Sequence, residues 1–392
     1  MALGAAGPEQ RRYTEEDLPE LRVAIVHYWL VTWRGGEKVV ASLLKLFPRA
    51  DIYTLFYDAN TCGPHLGNHR VFTSSLNLPL LKKQYQKLFP LYPLGIRSLH
   101  LREDYDLLIS SESGPAKGIR KPGHLPHLCY IHTPMRYCWG YRQMYLESLP
   151  GWLRSFADKR FEALKAWDRS TVDNVDSFVA NSKNVADRVS RYYGRSARTC
   201  YPPIALDLFE RPLQASTKEF YLSFGALTPY KNVELLVHTF NQLKEPLLII
   251  GDGSEREKLE KQAGDNIQFL GSLPFDEILK IINRSRALLF PGEEDFGMIP
   301  LEVMSQGVPV IAYKKGGALE TVVENREDYG ASSGVFFEAP AVSGLIDALH
   351  RFQSVEHAFD PGWIRAHARK FGEDRFLSEM KQHILELLNS SN

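Results

Sequence analysis

Apolar residues occur along this chain in short runs that alternate with segments of helical periodicity. The run RVAIVHYWL at residues 22–30 predicts a buried strand, and the amphipathic segment EKVVASLLKLF that follows predicts a helix. Further strand-like runs are DIYTLFY, YDLLISSES, HLCYIHTP and SFVANS, with helical stretches between most of them. Strands that alternate with helices predict a parallel sheet covered on both faces.

The same alternation restarts in the second half of the chain. At YPPIALDLFERPLQASTKE the periodicity lapses into a Pro-containing linker, and the strand-like runs FYLSFGAL, PLLIIGDG, NIQFLGSL, ALLFPG and PVIAY follow with helices between them. We therefore predict two doubly wound α/β domains joined near residue 212, preceded by a polar, mobile leader at residues 1–20. Ligands of such folds bind at the carboxyl ends of strands, so we expect the site in the cleft between the two domains.

Net charge, apolar run lengths and cysteine spacing argue against several classes of protein but do not indicate a function. The 392 residues include 47 Lys and Arg and 47 Asp and Glu, so net charge does not argue for a nucleic-acid partner. No apolar run approaches the roughly 20 residues that span a bilayer, and the N-terminus lacks the apolar core of a signal peptide. The four cysteines form no CxxC pair, which favours free thiols in a reducing compartment and a cytoplasmic location.

Two glutamates lie eight positions apart in the stretch PGEEDFGMIPLEVMSQG. We expect Glu294 in the loop after a strand and Glu302 one or two turns into the next helix. Carboxylates suit vicinal hydroxyls because each accepts two hydrogen bonds, and the N–H groups at the helix start suit an anion. Those N–H groups lie near Gly297, Met298 and Ile299. The stretch predicts a binding site for a nucleotide diphosphate-sugar, and a solvated acidic loop is the alternative interpretation.

Other polar or glycine positions also follow predicted strands. Gly35 and Gly36 lie between a strand and a helix, where paired glycines let the backbone approach a phosphate. Lys231 follows the first strand of the second domain, where a cation can meet a diphosphate. His132 and Arg136 follow the strand in HLCYIHTP. Each position also has an ordinary interpretation as a tight turn, a solvated lysine or a structural histidine, so their shared place at strand ends carries the argument.

Taken in order, these motifs resemble the retaining GT-B glycosyltransferases of glycosyltransferase family four. The spacing E-x7-E in EEDFGMIPLE, followed by GVPVIAYKKGGALETV, is the strongest match, and GDGSE and ALTPYKN add to it. The N-terminal half is similar, through RGGEKV, IHTPMRY and DSFVANS, to bacterial mannosyltransferases of O-antigen and exopolysaccharide assembly. The resemblance implies two Rossmann-like domains facing a central cleft: an acceptor-side domain at residues 21–212, completed by a C-terminal helix at 370–392, and a donor-side domain at 213–369.

The resemblance also implies roles for the residues that match. Glu302 would hold the ribose hydroxyls, Glu294 the hydroxyls of the donor sugar, and Lys231 the diphosphate. His132 would lie near the reaction centre, and Leu273 near the nucleobase. The implied donor-binding set further includes Gly35, Gly36, Arg136, Phe296, Gly297, Met298 and Ile299.

One position departs from the family pattern. Many members have an arginine beside the lysine, as in G-R-L-x-x-x-K, and this chain has Ala226 there. A second cation must then come from elsewhere, with Arg34 and Arg136 as the candidates, or the diphosphate is held less tightly.

The implied activity is metal-independent transfer of a hexose with retention of configuration, and it needs no cofactor because the nucleotide sugar is a substrate. The subgroup suggests mannose from GDP-mannose, with UDP-glucose and UDP-galactose as open alternatives, and a saccharide or polyprenyl-diphosphate-linked acceptor. Nucleotide-sugar 2-epimerases share the architecture and stay an alternative class, as does a binding module without catalysis.

The basic and apolar segment at residues 76–102 predicts a peripheral contact with the inner face of the cell membrane. Residues 71–170 contain 15 Lys or Arg against 8 Asp or Glu, and a basic, apolar surface suits an anionic membrane. A helical hairpin that covers the sheet with a solvated basic rim is the alternative interpretation.

Overall fold

The computed structural model describes residues 12–147, 149–214 and 217–390, which form two compact units. The first unit ends at Tyr201 and also takes in the C-terminal segment from Phe376, and the second runs from Pro202 to Arg375. The sequence-based boundaries at residues 212 and 370 lie nearby, and their status as domain boundaries stays a prediction.

A sheet of parallel strands forms the centre of the first unit. Its strands are β1 Val23–His27, β2 Asp51–Thr54, β3 Val71–Thr73, β4 Leu107–Glu112, β5 His127–Ile131, β6 Ser177–Ala180 and β7 Arg198–Thr199. They are arranged in the order β3-β2-β1-β4-β5-β6-β7. Along β1, Val23 and Ile25 enter one hydrophobic cluster, whereas Ala24 and Val26 enter another. Because both faces are covered, the strand is a continuous apolar run rather than an alternating one.

The helices of the first unit pack on both faces of this sheet. They are α1 Gly35–Leu46, α2 Ala59–Cys62, α3 Pro79–Lys82, α4 Tyr92–Arg97, α5 Arg142–Glu147, α6 Gly151–Ser170 and α7 Lys183–Tyr193, and the chain's last helix, α16 Glu373–Ser390, enters this unit at Phe376. Phe376, Met380 and Ile384 of α16 lie in the same cluster as β1 and α1. Tyr92 and Ile96 of α4 lie in the cluster on the opposite face.

Residues 12–20 are ordered against the first unit. Leu18 lies in a 3-10 turn at Glu15–Glu20 and is only 1% exposed. The Tyr13 N–H donates to Asn389 Oδ1 at 2.7 Å, and Asn389 Nδ2 donates to the Tyr13 carbonyl at 3.1 Å. The predicted mobile leader is corrected for this stretch, because a buried leucine and paired hydrogen bonds hold it. Residues 1–11 of that prediction lie outside the described residues.

A second parallel sheet forms the centre of the second unit. Its strands are β8 Phe220–Phe224, β9 Leu247–Ile250, β10 Ile267–Gly271, β11 Ser285–Phe290, β12 Val310–Tyr313 and β13 Gly334–Phe337. They are arranged in the order β10-β9-β8-β11-β12-β13. The helices are α8 Asp207–Glu210, α9 Val233–Leu243, α10 Arg256–Gln262, α11 Phe275–Arg284, α12 Met298–Met304, α13 Ala318–Thr321, α14 Val342–Val355 and α15 Pro361–Arg369. The predicted doubly wound α/β class is therefore confirmed in both units.

Two further features concern the expected free thiols and the search for membrane-spanning segments. All four cysteines are buried, and none of them, each within the described residues, forms a disulfide. Across residues 12–147, 149–214 and 217–390, no helix combines the length and the apolar character needed to cross a membrane.

Candidate active site

The strand order of the second unit creates a switch point between β8 and β11. From β8 the chain continues to β9 and β10 on one side of the sheet, and from β11 to β12 and β13 on the other. The loops that follow β8 and β11 diverge, which leaves a crevice at the carboxyl ends of these strands. A shallow pocket, open to solvent, lies there and is lined by Ser223, Phe224, Gly225, Ala226, Leu227, Lys231, Val233, Leu289, Phe290, Pro291 and Gly292.

Lys231 and Glu294 meet beside this pocket. The Lys231 ammonium forms an ion pair with Oε1 of Glu294, and the two side chains are only 17% and 12% exposed. Partial burial reduces screening by water, so the attraction exceeds that of an exposed pair.

Gly292 allows the two loops that carry this pair to pack against each other. A Cβ atom at Gly292 would lie 2.8 Å from the carbonyl oxygen of Tyr230 and 2.9 Å from Cα of Lys231. Both neighbours are backbone atoms, so no side chain fits without moving the loop. The missing side chain therefore lets Lys231, which follows β8, lie beside Glu294, which follows β11.

The Glu294 loop is held on its other side by the loop after β12. The Gly317 N–H donates to the Glu294 carbonyl oxygen at 2.8 Å, and Glu294 forms an isolated parallel bridge with Gly316. Helix α12 then begins at Met298, and Glu302, its fifth residue, is 7% exposed. Both glutamates of the E-x7-E spacing therefore lie where the sequence predicted them, one in the loop and one on the helix.

The first unit has its own switch point, between β1 and β4. His27 ends β1, and its Nδ1 lies 3.0 Å from Oγ of Ser111 in β4. The same oxygen lies 2.8 Å from Nε2 of His132, which follows β5. A Cβ atom at Gly36, in the first turn of α1, would lie 3.3 Å from Cε1 of His27 and 3.7 Å from Nε2 of His132. The start of α1 therefore rests on the two histidines, and a glycine permits this close approach.

Burial determines the charge of His27. Its side chain is 0% exposed, and loss of hydration together with the nearby His132 lowers the pKa of His27 to about 3, against the opposing effect of the bond to Ser111. His27 is therefore neutral at physiological pH. Its Nε2 atom is buried without a hydrogen-bond partner.

A buried charge cluster adjoins Ser111 in β4. The Lys117 ammonium forms an ion pair with Asp168 Oδ1 and lies 3.8 Å from Glu112 Oε1, and all three side chains are at most 1% exposed. Trp139 Nε1 and the Tyr193 hydroxyl donate to Asp168 Oδ2 at 2.8 and 2.9 Å. Burial raises the pKa of Glu112 to about 8. The cluster ties the end of β4 to α6 and α7.

The other predicted site residues lie at further strand ends. Arg136 follows β5, with its guanidinium carbon 5.8 Å from the ring centroid of Tyr141. Leu273 is half-buried between β10 and α11. Phe296 is 3% exposed in the loop that carries Glu294. Among the predicted site residues, Lys231 and Glu294 form an ion pair with each other.

Sequence reasoning missed His27 and Ser111. Both are polar residues at the carboxyl end of a predicted strand, which is the signal that singled out His132. In the segments RVAIVHYWL and YDLLISSES this signal was available and would have identified both residues.

The two parallel sheets, each with a pocket or polar cluster at its switch point, define a GT-B protein. Anabaena HepE in complex with UDP has the same fold, with a TM-score of 0.68 at 16% identity over 93% of this chain and 99% of that chain. Sucrose-phosphate synthase from Thermosynechococcus elongatus gives a TM-score of 0.65 at 17% identity over 94% and 100% of the two chains. At these identities the likeness concerns the fold alone.

Sequence comparison then identifies the family. The description Glycosyltransferase Family 4 matches residues 33–208, and Glycosyl transferases group 1 matches residues 207–358. Alpha-1,3/1,6-mannosyltransferase ALG2 of Kluyveromyces lactis is 30% identical over 384 residues, 80% of this chain and 73% of the relative. The chain spans less than half the length of the first curated relatives it matches, such as 44% of an uncharacterized glycosyltransferase of Methanocaldococcus jannaschii. This protein belongs to glycosyltransferase family 4, which confirms the family resemblance, whereas the bacterial O-antigen subgroup stays a prediction.

Proposed function

We propose that this protein is a retaining glycosyltransferase that moves a hexose from a nucleotide diphosphate-sugar to a saccharide or lipid-linked saccharide. The observation that carries the proposal is the Lys231–Glu294 pair beside the pocket at the β8/β11 switch point, in a chain of family 4. A cation and a carboxylate at this place match the two parts of the donor, the diphosphate and the sugar hydroxyls.

In this proposal each residue of the second unit contacts a different part of the donor. Lys231 neutralises the diphosphate, Glu294 accepts hydrogen bonds from the transferred sugar, and Glu302 binds the ribose hydroxyls. Because α12 has only seven residues, we assign anion binding to individual N–H groups from Gly297 to Ile299 rather than to a helix dipole. Leu273 and Phe296 complete this set, with Leu273 at the nucleobase.

Residues of the first unit receive donor contacts in the same proposal. The glycines Gly35 and Gly36 let the start of α1 approach the diphosphate, because their backbone carries no side chain. His132 contacts the donor sugar near the reacting carbon. Arg34 or Arg136 supplies the second cation that the family pattern places at the position of Ala226.

The proposed reaction breaks the bond between the anomeric carbon and the diphosphate oxygen. The acceptor oxygen bonds to the same face of the sugar, and its proton passes to the departing phosphate oxygen. Negative charge grows on the diphosphate as the bond breaks, so Lys231 stabilises the transition state more than the ground state. Glu294 already holds the ammonium in place, which reduces the reorganisation needed during the reaction.

The donor that we propose is GDP-mannose, with mannose as the transferred sugar. Support comes from the relative named as an alpha-1,3/1,6-mannosyltransferase at 30% identity. The fold relative HepE was solved with UDP-glucose at 17% identity, which keeps UDP-glucose and UDP-galactose as alternatives.

We further propose that segment 76–102 contacts an anionic membrane, where a polyprenyl-diphosphate-linked acceptor would be available. Tyr92 and Ile96 anchor this segment in the core, whereas Leu80 and Leu94 are 82% and 61% exposed. Exposed leucines next to basic side chains suit the anionic inner face of a cell membrane. The exposed lysines and arginines of the segment are Lys83, Lys87, Arg97 and Arg102.

Two glutamate variants test the assignment of roles. Glu302→Ala removes hydrogen bonds to a carboxylate worth about 1.5–3 kcal/mol, so it should weaken nucleotide binding by about 10- to 150-fold in calorimetric titration. Glu294→Ala should mainly lower kcat and should weaken nucleotide affinity less than Glu302→Ala does. The control is Glu257→Ala, since the Glu257 side chain is 84% exposed on α10.

Negligible effects of both variants would overturn the assignment. A thermal-shift screen with GDP, UDP and ADP identifies the base, because a ligand at 100 times its Kd stabilises the protein by about 2.7 kcal/mol. Rapid donor turnover without any acceptor would instead favour a nucleotide-sugar 2-epimerase.

A further inference from the structure

Three side chains of the first unit form one hydrogen-bonded chain. His27 and Ser111 are register partners on the adjacent strands β1 and β4, and His132 follows the next strand, β5. Ser111 Oγ lies 3.0 Å from Nδ1 of His27 and 2.8 Å from Nε2 of His132. His27 and Ser111 are both 0% exposed, so water does not compete for these bonds.

The single proton of the Ser111 hydroxyl couples the two histidines. A hydroxyl donates one hydrogen bond and accepts others. If Ser111 donates to Nε2 of His132, then Nδ1 of a neutral His27 must carry a proton and donate to Ser111. If Ser111 donates to His27 instead, Nε2 of His132 must carry the proton. The tautomer of one histidine therefore determines the tautomer of the other.

His27 also has a feature that a purely structural residue would not need. Its Nε2 atom is buried and forms no hydrogen bond within the described protein, which is less favourable than an apolar side chain of similar shape. An apolar residue would fill the space under Gly36 without this penalty. A buried polar group that is left partly unsatisfied calls for another explanation, and the bond between its Nδ1 and Ser111 Oγ, which also contacts His132, provides one.

We propose that His27 is a positioning residue that sets the ring orientation and the tautomer of His132 through the hydroxyl of Ser111. The proposal rests on the proposed function, in which His132 contacts the donor sugar near the reacting carbon. A ring that is held at Nε2 has one orientation and a defined protonation state at Nδ1. Loss of hydration lowers the pKa of His27 to about 3, so this residue stays neutral and acts only through its tautomer.

Three substitutions separate the hydrogen bond from packing. His27→Phe keeps a ring of similar shape and removes Nδ1, whereas His27→Asn retains a polar atom at the Nδ1 position. Ser111→Ala breaks the chain at its centre. We expect His27→Phe and Ser111→Ala to lower kcat about five- to tenfold with the donor KM within about twofold, which corresponds to one lost hydrogen bond. His27→Asn should recover most of the activity, and His124→Phe at an exposed position is the matched control.

A double-mutant cycle tests whether His27 acts through His132. In the His132→Ala background, His27→Phe should cause no further loss of kcat, because the residue it positions is gone. An equal loss in both backgrounds, or a His27→Asn variant as impaired as His27→Phe, would mean that His27 only supports the fold.

A measurement without substrate keeps this test independent of the proposed function. The ¹⁵N resonances of the His132 ring report its tautomer in histidine-labelled protein, with His132→Ala providing the assignment. We expect His27→Phe to change the tautomer ratio of His132 and His124→Phe to leave it unchanged. An unchanged ratio in folded His27→Phe would refute the coupling. If the wild-type protein lacks transferase activity but the ratio shifts, the proposed function fails and the coupling stands.

Discussion

Replacing Lys117 with methionine should destabilise the first unit severely. Lys117 is 0% exposed, and its ammonium pairs with Asp168, which is equally buried. Burial alone would lower the pKa of Lys117, yet Asp168 and Glu112 raise it above the ordinary value, so the lysine is charged at neutral pH. Methionine has a similar length and no charge. The substitution therefore leaves a carboxylate buried without its cation.

The expected loss follows from the burial of the pair. Removing one partner of a buried ion pair destabilises a protein by about 3–5 kcal/mol. The bonds from Trp139 and Tyr193 to Asp168 remain, and they offset only part of the lost attraction. For a unit of this size the loss corresponds to a decrease of about 6–20 °C in Tm.

Guanidinium unfolding followed by tryptophan fluorescence measures this loss. Five of the six tryptophans lie in the first unit, and one of them, Trp139, donates directly to Asp168. Lys381→Met is the matched control, because Lys381 pairs with Glu15 at 2.9 Å while the two side chains are 33% and 61% exposed. Such an exposed pair contributes about 0–1 kcal/mol.

A second variant checks the cause of the destabilisation. Lys117→Met combined with Asp168→Asn removes the unpaired charge and keeps an oxygen that accepts from Trp139 and Tyr193. It should be more stable than Lys117→Met alone. A loss for Lys117→Met no larger than for Lys381→Met would refute the reasoning, since it would mean that the pair is not removed from water.

Two further predictions concern Glu112 and Gly292. Burial raises the pKa of Glu112 from an ordinary 4.5 to about 8, so the contribution of Glu112 to stability is complete below pH 4.5 and is lost as pH rises through 8. In unfolding titrations the wild type should lose on the order of 1.4 kcal/mol of stability per pH unit across this window relative to Glu112→Gln. Parallel stability curves for the two proteins would contradict the raised pKa. Gly292→Ala places a Cβ atom against the backbone of Tyr230 and Lys231 and should weaken nucleotide diphosphate binding at least tenfold by calorimetry, whereas Gly123→Ala, which meets no atom within 4 Å, should bind normally.

Local patterns in the sequence predicted the elements and part of the site. Each apolar run such as RVAIVHYWL became a strand of a parallel sheet, because burial on both faces requires apolar side chains at successive positions. Lys231 and Glu294 could be found in advance because each follows a recognisable strand, and parallel strands bring their carboxyl ends to one edge of the sheet. The ion pair between them depends on the close loop packing at Gly292, which no local pattern indicated.

The sequence by itself determined which residues are apolar, where strands and helices alternate, and which motifs follow each strand, because these properties depend on neighbours within a few positions. Only the tertiary structure decided that β1 lies beside β4, so that His27 reaches a serine 84 positions away, and that Lys117 is buried against a carboxylate 51 positions away. Strand order and buried polar partners arise from packing between distant segments, and the physical pairing of two such side chains leaves no periodic trace in the chain.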